Sequence, residues 1–78
     1  MKISRHARNN MRLYKISEAD ILNAVESPDA SGTEENRTVA VKKFRDKFLG
    51  YPLKVVYEKM GNEIFVLTAY PLKKKMWR

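Results

Sequence analysis

The side chains able to do chemistry in this chain are few. His6 is the only histidine, and imidazole is the one side chain whose ordinary pKa lies near neutrality. There is no cysteine, which removes thiol nucleophiles, disulfides and a Cys/His zinc site. No Gly-rich phosphate loop and no HExxH pattern occurs. Six of the nine carboxylates fall between residues 16 and 36, spaced for helix capping and loop solvation rather than as a converging metal-binding set. Neither a metal nor a cofactor is therefore expected. Lysine, arginine, tyrosine and one histidine remain, and one reaction suits them. RNA carries its own nucleophile, the 2′-OH. Cleaving it needs a group to take that proton, a group to protonate the leaving 5′-oxygen, and fixed positive charge beside the phosphorane. DNA lacks the hydroxyl and cannot be cut this way.

The charge points the same way. The chain has 78 residues and a formal charge of +7, and the charge is segregated. Residues 1–15 hold five bases and no acid, residues 16–36 six acids and no base, and residues 37–78 eleven bases and three acids. Such a molecule presents a cationic face, whose natural partner is a polyphosphate. The plainer reading is a solvated surface that keeps a small protein soluble. Length allows one domain, 1–78, which buries only about 60% of its unfolded surface. No apolar run nears the roughly 20 residues of a membrane span, and the basic N-terminus lacks an apolar signal-peptide core. A cytoplasmic protein without membrane contact is expected.

Two helices and then strands must position these groups. Ser4 is a plausible N-cap for a helix over about 4–14. In it Ala7, Met11 and Tyr14 form an apolar stripe, and Arg5, Arg8, Arg12 and Lys15 a basic one. Ser17-Glu18-Ala19-Asp20 opens a second helix over about 18–27, which Pro28 ends. Residues 29–36 read as an acidic loop with at most a short edge strand. Strands follow at Thr38 to Phe44, Pro52 to Lys59 and Ile64 to Tyr70. The class is α+β, with two N-terminal helices packed on a three- to four-stranded antiparallel sheet.

A two-residue loop at Gly61-Asn62 sets the hairpin register. Tyr57 then faces Val66, Val56 faces Leu67, Val55 faces Thr68, and Leu53 faces Tyr70. One sheet face carries Leu53, Val55, Tyr57, Ile64, Val66, Thr68 and Tyr70. The other carries Lys54, Val56, Glu58, Phe65, Leu67 and Ala69. The pattern leaves open which face the helices cover. At the C-terminus, Lys73, Lys74 and Lys75 lie beside Trp77, a pairing of cations with a base-stacking ring.

The segments HARNNM at 6–11, Ile16-Ser17, PLKVVYEK and IFVLTAYP occur in one order along the chain. Together they resemble a family of small bacterial domains opening H-A-x-x-R-M, known as domain of unknown function 4258. The likeness covers roughly residues 3–71. That family is similar to the RelE/ParE and BrnT toxins. The resemblance implies a RelE-like toxin domain of a toxin–antitoxin system. It implies an endoribonuclease, a hydrolase acting on free or ribosome-bound RNA, paired with a small antitoxin protein. By position, His6, Met11, Thr68 and Tyr70 match family residues. Asn10 departs from the pattern, since an arginine is usual there, and Arg8 or Arg12 is the substitute.

Under this reading His6 is the general acid or base, and Tyr70 with Thr68 orients or protonates. Arg8 and Arg12 hold the scissile phosphate, aided by Lys43 or Arg45. Arg5, Lys15, Lys73, Lys74, Lys75 and Trp77 extend the RNA contact. The alternative is a non-catalytic basic module that binds nucleic acid or an acidic protein, with His6 merely packing at the helix–sheet junction.

Overall fold

The structure is a computed structural model that describes residues 1–72. The chain runs β1 (Lys2–Ile3), α1 (Arg5–Tyr14), α2 (Glu18–Glu26), β2 (Ala30–Glu34), β3 (Arg37–Lys42), β4 (Leu53–Met60) and β5 (Glu63–Pro71). It is α+β, as the pattern predicts, but the sheet differs from the expectation. Five strands are present, in the order β1-β5-β4-β3-β2, and the sheet is mixed. The extra members are its two edges. β1 is a two-residue parallel strand beside β5, pairing Lys2 with Phe65 and Ile3 with Val66. β2 pairs antiparallel with β3 along its whole length, Ala30 opposite Val41 to Glu34 opposite Arg37. Its polar, glycine-containing sequence reads as loop; the free backbone edge of β3 recruits it into a ladder.

Both helices lie on one face of the sheet. Ala7, Ile16, Ile21 and Ala24 meet Ala40, Leu53, Val55, Tyr57, Val66 and Ala69 in the main core. A second, thinner cluster of Val39, Val41 and Val56, with Ala30 and Leu67 against it, lies on the uncovered face. Each helix has a serine N-cap, as the sequence predicts. The Ser4 hydroxyl accepts from the Ala7 N–H at 3.0 Å. Ser17 accepts from Asp20 N–H at 3.0 Å, and Asp20 accepts from Ser17 N–H at 3.1 Å, a complete capping box.

Asp20 is the buried charged side chain among the described residues, 3% exposed. Lys47 Nζ reaches its carboxylate at 2.6 Å and so ties the 43–51 connection to α2. Burial alone would raise the Asp20 pKa. The donors from Lys47 and Ser17 outweigh it and hold the carboxyl below its ordinary 3.8.

The β4–β5 hairpin turns at Gly61-Asn62 as expected, with Met60 opposite Glu63 and Gly61 at φ 62. The predicted register holds only to Tyr57–Val66. A bulge follows: Val56 faces Thr68, Val55 faces Ala69, Lys54 faces Tyr70, and Leu53 faces Pro71. Leu67 is the extra residue. Because side chains alternate with period two, one inserted residue exchanges faces for everything beyond it. Ala69 and Pro71 turn inward, and Thr68 and Tyr70 turn to the uncovered face beside Lys54. The cap of α1 fastens the bulge. Ser4 N–H donates to Val66 O at 2.9 Å, and the Ser4 hydroxyl donates to Leu67 O at 2.8 Å.

Candidate functional site

The bulge creates a hollow on the open sheet face. Glu34, Glu35, Arg37, Lys54, Val56, Thr68 and Tyr70 line about 460 Å³. Lys54 Nζ sits 5.8 Å from the centre of the Tyr70 ring, within cation–π range. It also lies 3.6 Å from Glu34, while Arg37 lies 3.9 Å from Glu58. Two cations and two glutamates share the lining, so the hollow is nearly charge-neutral. What it offers is two hydroxyls, one aromatic ring and one largely buried ammonium.

Helix α1 reaches this hollow at one point. Asn10 Nδ2 donates to Thr68 Oγ1 at 3.3 Å. Since that oxygen accepts from Asn10, the threonine proton is free to be donated elsewhere. His6 precedes Asn10 by one helical turn on the same flank, with Cβ atoms about 6 Å apart for such a pair. Its ring is exposed rather than packed at the helix–sheet junction. The structure thus joins Asn10 to Thr68, which lines the hollow with Tyr70 and Lys54, and leaves His6 one helical turn before Asn10 and outside that lining.

The arginines do not converge with them. Residues two apart on a helix do not face each other, so Arg8 looks away from His6. It faces α2, where Nη1 lies 3.6 Å from Glu18. Arg12, six positions from His6, lies about a third of a turn round the helix. Arg5, Arg12 and Lys15 are all exposed. With Arg8 they put four cations on the outer surface of α1 and its C-cap, beside the exposed Asn9 and Leu13. Lys43 and Arg45 lie beyond the end of β3 instead of within the sheet. The Lys43 N–H is held by Asp29 at 2.7 Å, and both side chains are exposed. Lys73, Lys74, Lys75 and Trp77 lie outside the described residues.

Sequence reasoning missed Lys54, Arg37 and Asn10 as parts of this site. In an unbulged register Lys54 faces Ala69 and has no reason to be singled out. Asn10 stood out only as a departure from an expected arginine. Among the described residues, no three His, Asp or Glu side chains cluster as a metal ion would need. No helix among them is long and apolar enough to cross a membrane.

The comparisons with known proteins agree with the motif order. The model of a family described as a domain of unknown function (DUF4258) matches residues 3–71. The chain belongs to that family. No curated protein and no solved structure matches the chain. The match takes in all seven helices and strands but the first residue of β1, and so every member of the site just described.

Proposed function

We propose that this DUF4258 domain binds RNA and cleaves it without a metal, as a toxin-like endoribonuclease kept in check by a small antitoxin. The observation that carries the reading is the Asn10–Thr68 bond. It joins a helix that carries basic residues and no acid to a hollow that holds hydroxyls and an ammonium. The RNA backbone runs along Arg5, Arg12 and Lys15 on α1, crosses the His6 flank, and enters the hollow at Thr68. His6 takes the 2′-OH proton. The 2′-oxygen attacks phosphorus, the P–O5′ bond breaks, and the leaving oxygen is protonated by the Tyr70 hydroxyl. Lys54 and the Thr68 hydroxyl stabilise the charge on the phosphorane. The products are a 2′,3′-cyclic phosphate and a 5′-hydroxyl.

The test is incubation of the purified protein with end-labelled single-stranded RNA in EDTA, beside the DNA of the same sequence. Cyclic-phosphate ends are expected from the RNA alone. His6→Ala should lose about 10²- to 10⁴-fold in rate, the usual contribution of a general base. Equal RNA decay with wild type, His6→Ala and no protein would end the catalytic assignment. Ribosome-bound message is the second substrate to try, since the same chemistry applies there.

A second reading has its own observation. The cations of the hollow are matched by Glu34 and Glu58, and Arg8 by Glu18. That balance suits a basic module that binds RNA through α1 and does no chemistry. It predicts salt-dependent RNA binding with no product on prolonged incubation.

A further inference from the structure

The turn between β2 and β3 supplies part of the wall of the Thr68 hollow, and one of its residues is an unusual choice. Glu34 and Arg37 face each other as the last pair of the ladder, so Glu35 and Asn36 are the two loop residues. Glu35 holds φ 57, in the left-handed region, and Asn36 lies outside it. Hairpins with only the first loop residue at positive φ usually place glycine there, because a Cβ is strained in that region. Glutamate stands there instead, although asparagine, which tolerates the region better, is its neighbour. Strain of this kind clusters at ligand-binding positions.

Nothing within the described chain employs the Glu35 carboxylate. Glu34 has Lys54 at 3.6 Å, and Glu58 has Arg37 at 3.9 Å. No ion pair or hydrogen bond among the described residues reaches Glu35, which is exposed yet lines the hollow. Its two oxygens can only accept. The same hollow holds donors in Arg37, Lys54 and Thr68, and apolar wall in Val56 and the Tyr70 ring. Its volume of about 460 Å³ is some three times the roughly 150 Å³ that takes a benzene ring, which leaves room for a purine and its ribose phosphate.

Single-stranded RNA offers the pairing edges of its bases for recognition. Guanine alone among the four carries two neighbouring N–H donors on that edge, at N1 and N2. Adenine and cytosine carry one amino group beside a ring nitrogen lone pair, and uracil one N–H between two carbonyls. A carboxylate meets both donors of guanine and is repelled by a lone pair of each other base. Cytosine could give its amino group to Glu35 and its lone pairs to Arg37, but one carboxylate oxygen would then go unmet.

We infer that Glu35 makes the hollow selective for guanine. The N1–H and N2–H groups donate to its carboxylate, Arg37 donates to O6, and the phosphate of the same nucleotide lies toward Lys54 and Thr68. This rests on the reading of the hollow as an RNA site.

The four nucleoside 3′-monophosphates test it by calorimetry with the whole protein, because they cannot be cleaved and differ only in the base. The guanosine nucleotide is expected to bind about ten- to a hundredfold more tightly than the other three, the discrimination of one bidentate contact. Glu35→Gln replaces one acceptor by a donor and should remove that preference. Glu35→Gly should remove it too and raise the melting temperature, since glycine is at ease at positive φ. A merely structural glutamate would leave the preference untouched. Equal binding of the four nucleotides, a preference for cytidine, or no binding of any at millimolar concentration overturns the inference. So does a guanine preference that survives in both variants. RNA decay that is the same with and without His6 ends the cleavage reading and leaves guanine binding standing. Cleavage after every base alike does the reverse.

Discussion

The two helices of this protein are similar in length and both start on a serine, yet they are built on opposite rules. α2 follows every preference of a stable helix. Its first turn carries Glu18 and Asp20, its capping box is complete, and Asp20, Ile21 and Ala24 are buried. α1 opens on Arg5 and His6 with no acid in its first turn, and of its ten residues only Ala7 is fully buried. Positive charge at a helix N-terminus works against the backbone dipole. α1 keeps its place through tertiary bonds instead, Ser4 to the β5 bulge and Asn10 to Thr68. A helix held by tertiary bonds rather than by its own preferences, with cations on its surface, is where a binding function belongs. A helix consistent at every level belongs to the framework.

This contrast can be broken by mutation, and the largest effect should come from α2. Asp20→Ala removes half of the capping box and the acceptor for Lys47. It is expected to cost about 2–3 kcal/mol by urea denaturation, from the cap and the charged hydrogen bond together. Arg12→Ala in α1 should cost under about 0.5 kcal/mol, as exposed sites do. Equal losses at the two positions would abolish the distinction. The same carboxylate gives a pH signature. Its folded-state pKa lies below 3.8, so its contribution is complete above that value and is lost as the pH falls beneath it. Wild-type stability should drop as the pH falls below 3.8 more steeply than that of Asp20→Asn, whose side chain does not titrate.

The caps come next. Ser17→Ala is expected to cost about 1 kcal/mol, the ordinary value of an N-cap. Ser4→Ala should cost more, about 1–2 kcal/mol, because the Leu67 carbonyl at the bulge loses its donor as well. Only Ser4→Ala should also weaken RNA binding, through the displaced Thr68 and Tyr70. Fluorescence anisotropy with a short labelled RNA reads that difference.

Two smaller effects sharpen the comparison. Replacing both Arg5 and Arg12 by alanine should reduce the slope of log affinity against log salt by about 1.4, two phosphate contacts on a single strand. Arg5→Glu should move stability and binding in opposite directions. It favours the helix dipole by about 0.3–1 kcal/mol while weakening RNA binding. A loss of both would mean that Arg5 is structural.

How much was legible beforehand follows the range of the interactions concerned. The serine caps, the end of α2 near Pro28, the Gly61 turn and the basic stripe of α1 depend on residues a few positions apart, and the sequence displays them. β1 depends on a partner sixty-three positions away, and β2, though it pairs with the next strand, is a polar stretch that becomes a full strand only because the edge of β3 is there to pair with it. The bulge at Leu67 is likewise invisible in β5 itself. Its carbonyl is satisfied by Ser4, sixty-three positions away.

That single bulge decided the site. The sequence alone determined the inventory: one imidazole, two hydroxyl-bearing residues two apart on the last strand, and a helix of arginines free of acids. It also determined the family, through motifs whose order survives any register. Only the tertiary structure decided which of these groups meet. It paired Lys54 with Tyr70, turned Arg8 toward Glu18, and linked α1 to the hollow through Asn10. The reason is geometric. Composition and local spacing are properties of the chain, but the face on which a strand residue lies changes with one inserted residue, and a contact made elsewhere in the fold holds that insertion in place.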